Sequence, residues 1–164
     1  MEDIRKLYNY LLAVRGDTVH ASSSTEQQHV EAVILAALND ELALALAPTR
    51  LALNGKASVQ LDGVDERNRV ACEIYARLGR LKGSQPDKVA SDLLKLNLVE
   101  QVRGGTWRKI LCFASSEAAK VVQGKSWLAA ATAHFRVEVR VVPLPEAERQ
   151  LLLAAQARQV MVNK

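Results

Sequence analysis

Apolar positions near the start of the chain recur every three or four residues, and this spacing predicts helices. The first set, Ile4, Leu7, Tyr8, Leu11 and Leu12, predicts a short amphipathic helix within residues 1–20. The second set starts at Val30, after a capping Ser24 or Thr25, and predicts a helix that ends near Pro48.

The middle of the chain shows short alternating runs bounded by turn residues, as β-strands do. Strands are predicted at Arg50–Leu53, Ser58–Asp62, Arg69–Arg77, Lys109–Ala114 and Arg136–Val142, with turns at Asn54-Gly55 and Gly63. Helices are predicted from a cap at Ser84 to about Val99, over 116–122, over 126–134, and from Pro145 to about Val160.

This order of elements predicts an α/β protein with a central mixed sheet of about five strands and helices on both faces. We expect a single domain over residues 1–164, with an N-terminal helix in 1–20, a core over 25–142 and a C-terminal helix over 145–162. The fold depends on pairing of Ser58–Asp62 with Arg69–Arg77 as a hairpin.

Composition restricts the class of protein further. With 49% hydrophobic residues, 8 Gly and 4 Pro, the chain is neither disordered nor collagen-like. Cys72 and Cys112 lie in apolar runs, which indicates buried thiols in a reducing compartment rather than a disulfide scaffold. The chain start lacks a signal-peptide pattern, and 39–41 interrupts the most apolar helix, so we expect a cytoplasmic protein without a membrane span.

Positive charge is concentrated in one part of the chain. Residues 77–109 hold eight basic and three acidic side chains, a local charge of +5 against +4 for the whole sequence. The basic residues are Arg77, Arg80, Lys82, Lys88, Lys95, Arg103, Arg108 and Lys109. The concentration indicates either a phosphate-binding face or an ordinary lysine-rich surface.

Two carboxylates fall on neighbouring predicted strands. Alternation places Gln60 and Asp62 opposite Val59 and Leu61, and it places Glu73 on a face with Tyr75 and Arg77. If the strands form a hairpin, Asp62 and Glu73 approach each other and offer the hard oxygen ligands that Mg²⁺ binds. Alternatively, Asp62 serves an Asp-Gly turn and Glu73 pairs with Arg77.

The next helix carries a narrow polar stripe formed by Gln85, Lys88, Asp92 and Lys95. Helical periodicity places these side chains beside the apolar stripe, from which they can reach the rim of the sheet. The alternative is a set of intrahelical ion pairs that contribute only a few tenths of a kcal/mol each.

The strings Gln60-Leu61-Asp62-Gly63, Cys72-Glu73-Ile74-Tyr75-Ala76-Arg77 and Gln85-x-x-Lys88 resemble the PD-(D/E)XK nuclease superfamily, whose fold is restriction-endonuclease-like. The stretch from 73 to 96 also resembles bacterial proteins of unassigned activity. The resemblance implies that Asp62 and Glu73 bind Mg²⁺ or Mn²⁺. Tyr75 stands where the family has its lysine.

The substitution of that lysine implies a replacement from elsewhere. Some members of the superfamily relocate it to the following helix, which favours Lys88, with Gln85 as a helper and Lys82 as a second choice. Arg77 is a poor proton-transfer group because it stays charged. The family's acidic residue on the first helix matches Glu31, with Glu26 behind it.

Other reactive side chains show no chemical spacing. His20, His29 and His134 are far apart, and no nucleotide-binding glycine motif occurs. Trp107 is predicted to cover the core at a strand edge, although it could stack a base, and Trp127 is predicted to lie in the core.

The function that these patterns predict is a Mg²⁺-dependent phosphodiester nuclease acting on DNA, with Arg80, Lys82 and Lys95 binding the nucleic acid. The alternatives are an inactive nuclease-fold module that binds nucleic acid or protein, and a pure protein-interaction domain. A homodimer is expected because cleavage of both strands suits two-fold symmetry. Its contact is predicted at the apolar run 151–155 or at Arg136–Val142.

Overall fold

The computed structural model of the chain describes residues 25–162, with side chains described up to residue 158. The helix predicted within residues 1–20 therefore lies outside the described residues, as does His20. The helices are α1 (Thr25–Leu42), α2 (Gln85–Arg103), α3 (Ser116–Ala119), α4 (Trp127–His134) and α5 (Glu146–Val162), with a 3₁₀ turn at Lys120–Val122. The strands are β1 (Ala47–Ala52), β2 (Ser58–Asp65), β3 (Val70–Tyr75), β4 (Arg108–Phe113) and β5 (Val137–Val141).

The five strands form one mixed sheet in sequence order, β1-β2-β3-β4-β5. β1 and β2 pair antiparallel, as do β2 and β3, whereas β3, β4 and β5 run parallel. Parallel strands need crossover connections, and α2 and α4 provide them. The predicted α/β class and mixed five-stranded sheet are confirmed.

Helices cover both faces of this sheet. On one face, Val89, Leu93 and Leu96 of α2 pack against Ala71, Tyr75 and other strand residues in a core that also includes α3 and α4. On the other, Val30, Ile34 and Leu38 of α1 and Leu152 of α5 pack against a set that includes Cys72 and Ile74. All six residues of β3 are buried because this strand lies between the two layers. Both cysteines are buried free thiols, as predicted.

Several local elements begin where their capping residues predict. Ser115 accepts a hydrogen bond from Ala118 N at 3.2 Å, and Ser126 accepts one from Ala129 N at 3.1 Å, so both serines cap the helices that follow them. α2 ends at Gly104, whose φ of 69° is accessible to glycine without strain. The predicted boundary of the first helix near Pro48 is wrong, because α1 ends at Leu42 and β1 already contains Pro48.

The turn predicted at Gly63 is also wrong. β2 continues through Gly63 to Asp65, and its pairing with β1 shifts register between Ala47 and Thr49, which marks an irregularity in the strand. Gly63 has close neighbours instead: a Cβ there would lie 2.6 Å from Cys72 Sγ and 2.8 Å from Leu35 Cδ1. The glycine allows α1 to pack directly on the sheet. Because β2 continues through Gly63, Asp62 is a strand residue rather than a turn residue.

Replacing Gly63 with alanine is expected to destabilise the fold by about 1–3 kcal/mol, because an added methyl group overpacks this contact. The melting temperature should fall by about 2–4 °C for each kcal/mol. Thermal unfolding followed by circular dichroism measures the shift. The double variant Gly63→Ala/Cys72→Ala should recover part of the loss, and an unchanged melting temperature for Gly63→Ala would contradict the packing argument.

The two tryptophans differ in burial. Trp107 is 5% exposed and covers the core next to β4, as predicted, whereas Trp127 is 68% exposed, so its predicted core position is wrong. Trp127 opens α4, and Leu128 is the residue of this turn that packs inward. Within residues 25–162, no helix combines the length and the hydropathy that a membrane crossing requires.

Candidate functional site

The pairing between β2 and β3 ends where the two candidate carboxylates meet. The strands pair at Gly63–Cys72, Val64–Ala71 and Asp65–Val70. Beyond these pairs, Asp62 Oδ2 accepts a hydrogen bond from Ile74 N at 2.9 Å, and Glu73 Oε2 accepts one from Asp62 N at 3.3 Å. Carboxylate oxygens thus replace backbone carbonyls as acceptors, and both acidic side chains are held at the point where the strands separate.

Glu73 is the more deeply buried of the two carboxylates, with 1% of its surface exposed. Burial, and then the nearby charges of Asp62 and Asp92, raise the pKa of Glu73 to about 9, against the opposing effect of Lys95. The side chains of Asp62 and Glu73 are within hydrogen-bonding reach of each other. Two carboxylates this close favour a proton or a cation between them.

Lys95 of α2 forms the ion pair of Glu73. Its Nζ contacts Glu73 Oε1 directly and lies 2.6 Å from Asp92 Oδ1. Burial alone would lower the pKa of Lys95, but the carboxylate of Glu73 and the hydrogen bond to Asp92 raise it well above its usual value. Lys95 is therefore charged, and Glu73 pairs with it rather than with Arg77.

Asp92 joins the helix to the strand. Its Oδ2 accepts a hydrogen bond from the Tyr75 hydroxyl at 2.7 Å and pairs with Lys88 Nζ at 3.0 Å. Burial raises the pKa of Asp92, but Lys88 and Lys95 outweigh that effect and hold it below the usual value. Asp92 is thus an ionised anchor that fixes both lysines, and Tyr75 serves as its hydrogen-bond donor.

Lys88 lies nearer to solvent than Lys95. Its side chain is 61% exposed, and its Nζ stands 4.8 Å from the centre of the Tyr75 ring. The polar stripe predicted on α2 is confirmed in so far as Lys88, Asp92 and Lys95 all face the same site.

We name Asp62, Glu73, Asp92, Lys88 and Lys95 the carboxylate cluster. It holds three carboxyl groups and two ammonium groups.

The cluster contains a residue whose position the sequence did not reveal. Lys95 was expected to bind nucleic acid and Lys88 to replace the family's lysine, but it is Lys95 that touches Glu73. Both lysines lie on the predicted stripe, two helical turns apart. The signal was therefore present, but which lysine is level with Glu73 depends on how α2 packs against β3.

The remaining candidates lie on the loop between β3 and α2 or at the start of α2. Gln85 Oε1 accepts a hydrogen bond from Lys82 N at 2.8 Å, so its side chain closes the turn into α2, where Ser84 makes no side-chain cap. Arg80 and Lys82 are exposed. Arg77 is half-buried, and its carbonyl oxygen accepts a hydrogen bond from Ser115 Oγ at 3.2 Å.

The acidic residues predicted on the first helix lie in the other helix layer. Glu31 is 9% exposed on α1 and accepts a hydrogen bond from Gln27 at 3.2 Å. Glu26 forms an ion pair with Arg158 of α5 at 2.5 Å. These contacts connect α1 with its own turn and with α5, on the sheet face opposite α2.

The donor set of the cluster suits a cation that uses few protein ligands. Within the described part of the chain, no three His, Cys, Asp or Glu side chains are grouped closely enough to hold a metal. Mg²⁺ is commonly held by one or two carboxylates, with waters and substrate phosphates completing its shell, and Asp62 with Glu73 matches that pattern. Gln60 Oε1, a neutral oxygen on the same strand, is buried without a hydrogen-bond partner within the described residues.

Comparison with known proteins adds no assignment: no protein-family model, curated protein or solved structure matches this chain.

Proposed function

We propose that this chain is a Mg²⁺- or Mn²⁺-dependent phosphodiester nuclease acting on DNA, with a restriction-endonuclease-like core. Asp62 and Glu73 hold the metal, and Lys95 replaces the lysine that the family carries on the strand. The observation that carries the proposal is the placement of two carboxylates where β2 and β3 separate, each accepting a backbone N–H of the other's strand, with the Lys95 ammonium against Glu73.

The order of elements supports the same proposal. A helix, three strands, a helix and a further strand follow one another from Thr25 to Phe113. This order resembles the core of the PD-(D/E)XK superfamily, in which a helix precedes three strands and a helix and a strand follow. The carboxylates lie on the second and third of these strands, and the lysines on the helix that follows. Motif positions and topology therefore agree.

The charge balance of the carboxylate cluster supports a metal site. Burial, and then the negative charges of Asp62 and Asp92, raise the pKa of Glu73 to about 9, so the ionised form of this carboxyl group is disfavoured in the absence of a further cation. A divalent cation at Asp62 and Glu73 would offset the negative charge of both carboxylates and so favour the ionised form of Glu73. When bound, it polarises a phosphoryl oxygen and lowers the pKa of a water molecule.

Lys95 and Lys88 have different roles in this proposal. Lys95 is fixed by Glu73 and Asp92, so its ammonium group is preorganised beside the metal ligands, where it stabilises negative charge on the reacting phosphate. Lys88 is exposed and attached through Asp92, so it contacts the DNA backbone with Arg80 and Lys82.

The proposal is tested by the metal dependence of cleavage. Purified protein should cut plasmid and oligonucleotide DNA in Mg²⁺ or Mn²⁺ and should not cut it in EDTA. Calorimetric titration with Mn²⁺ in the absence of DNA should give one binding site per chain. Cleavage that persists in EDTA, or no cleavage with any divalent metal, would overturn the proposed activity.

A second function, an inactive nuclease-fold module that binds nucleic acid, is favoured by one observation. Tyr75 stands at the position where the resemblance places a lysine, and its hydroxyl donates a hydrogen bond to Asp92. Lys95 contacts Glu73, so the charge of Glu73 is offset without a metal ion. This module would bind DNA in EDTA but would release no heat with Mn²⁺. The same calorimetric titration therefore separates the two functions.

The strand β5 supports a homodimer. It ends the sheet, Val141 is 39% exposed, and its sequence Val137-Glu138-Val139-Arg140-Val141 is self-complementary. Antiparallel pairing about Val139 places Glu138 opposite Arg140 of a second copy. The other predicted contact is less suited, because Leu152 of the run 151–155 is 1% exposed and packs inside. Light scattering should give twice the mass of one chain, and Val141→Lys, at the exposed end of β5, should give the single mass.

A further inference from the structure

Trp127 is an exposed aromatic side chain that the proposed nuclease chemistry does not use. It is 68% exposed, compared with 5% for Trp107. Large aromatic side chains gain free energy from burial, so an indole left in solvent at the start of a helix is available for a ligand.

The local structure holds the backbone at Trp127 in a fixed position. Ser126, the preceding residue, accepts a hydrogen bond from Ala129 N at 3.1 Å and donates one to the Val121 carbonyl at 3.3 Å. Leu128, the following residue, is buried in the core. A rigid platform loses little conformational entropy when a ligand stacks on it.

Trp127 lies at the edge of the sheet where the parallel strands end. α4 follows β4 and runs back to the start of β5, so its first residue lies at the carboxyl ends of β3, β4 and β5. The loop that follows β3 meets the loop that follows β4 there: Ala114 N donates to the Tyr75 carbonyl at 3.1 Å, and Ser115 Oγ to the Arg77 carbonyl. The start of α2, with Lys88, lies at the same edge.

Exposed charges at this edge are mainly positive. The loops before α2 and α4 and the turns next to them present Arg80, Lys82, Lys88, Lys120 and Lys125, against the exposed acidic residues Asp87 and Glu117. The start of α5, which follows the carboxyl end of β5, adds one exposed residue of each sign, Glu146 and Arg149. The two residues that precede Trp127 in sequence, Lys125 and Ser126, are exposed and polar. Trp127 is therefore a single aromatic group in a basic surface, which suits a nucleic acid better than an apolar protein partner.

We propose that Trp127 stacks on an unpaired nucleobase, so that the substrate of this protein contains single-stranded DNA or a junction with unpaired bases. The identity of the substrate rests on the proposed nuclease function. The stacking itself rests on the exposure and surroundings of Trp127. In a duplex, bases are already stacked on each other, so an indole at the surface engages only a base that is free of its neighbour.

Binding in EDTA tests the inference without cleavage. A labelled 20-nucleotide oligo-dT and a duplex of the same length are titrated with the wild type and with Trp127→Ala, Trp127→Phe and, as a matched control of another exposed apolar residue, Leu153→Ala. Trp127→Ala should weaken oligo-dT binding by about 5- to 100-fold, with less than a twofold change for the duplex. Trp127→Phe should retain most of the affinity, and Leu153→Ala should match the wild type.

Tryptophan fluorescence gives a second measurement. Oligo-dT should quench the emission of the wild type and should leave that of Trp127→Phe, whose remaining Trp107 is buried, unchanged. The stacking proposal would be overturned if Trp127→Ala weakened the binding of both DNA forms equally or of neither. It would also be overturned if the wild type did not bind oligo-dT. If only the nuclease proposal fails, metal-dependent cleavage is absent while oligo-dT still binds and quenches the tryptophan emission.

Discussion

The variant Glu73→Gln is expected to lose at least about 10³-fold in the rate of Mg²⁺-dependent DNA cleavage. Glutamine keeps the shape of the side chain and can still accept the hydrogen bond from Asp62 N, but it removes the negative charge that binds the cation. A bound metal contributes several kcal/mol to stabilising the transition state, and each 1.36 kcal/mol is a factor of about ten in rate. Cleavage of a labelled oligonucleotide under single-turnover conditions measures the effect.

Asp65→Asn is the matched control for this variant. Asp65 lies on the same strand as Asp62 and is 5% exposed, but its carboxylate accepts hydrogen bonds from Ala45 N and Asn68 N, away from the carboxylate cluster. The control should cleave within about threefold of the wild type. Comparable cleavage by Glu73→Gln and Asp65→Asn would contradict the assignment of Glu73 as a metal ligand.

The second large effect is expected from Lys95→Met, which should lower the cleavage rate by about 10²–10³-fold, the usual cost of removing one preorganised group that stabilises charge in the transition state. Its binding of Mn²⁺ should be unchanged or tighter, because the variant removes a positive charge beside Glu73. A residue with a merely structural role would weaken metal binding and cleavage together. Calorimetry and single-turnover rates measure the two quantities independently.

Lys88→Met separates the two lysines of α2. Lys88 is exposed and contacts Asp92 rather than Glu73, so this variant should lose less than about tenfold in rate, with the loss concentrated in DNA affinity at higher salt. The opposite ranking, with Lys88→Met more damaging to the rate than Lys95→Met, would show that the exposed lysine is the one next to the reacting phosphate.

The features that the sequence predicted correctly depend on short-range patterns. Alternation over 58–62 and 69–77 was enough to indicate two neighbouring strands carrying Asp62 and Glu73, because side chains on a strand alternate between faces whatever the strand packs against. Helical periodicity identified α2 and its polar stripe in the same way. The apolar neighbours of Cys72 and Cys112 were enough to predict their burial, since both lie in strands covered on two sides.

Two features depended on more than the local pattern of apolar and polar residues. Asp62-Gly63 has the local signature of a turn, but the chain stays extended because Gly63 pairs with Cys72 of β3. Trp127 has the character of a core residue, but the capped start of α4 directs Leu128 inward and leaves the indole exposed. In both cases the local sequence was compatible with two structures, and the rest of the structure decided between them.

The choice of lysine shows the same division most clearly. The sequence by itself determined that Lys88 and Lys95 share one face of a helix, since 3.6 residues per turn brings positions seven apart into line. Only the tertiary structure decided which of them meets Glu73, because that contact depends on how far α2 extends along β3 when its apolar stripe fills the core. Helical periodicity is a property of the backbone, whereas the alignment of a helix on a sheet is set by side chains from both elements.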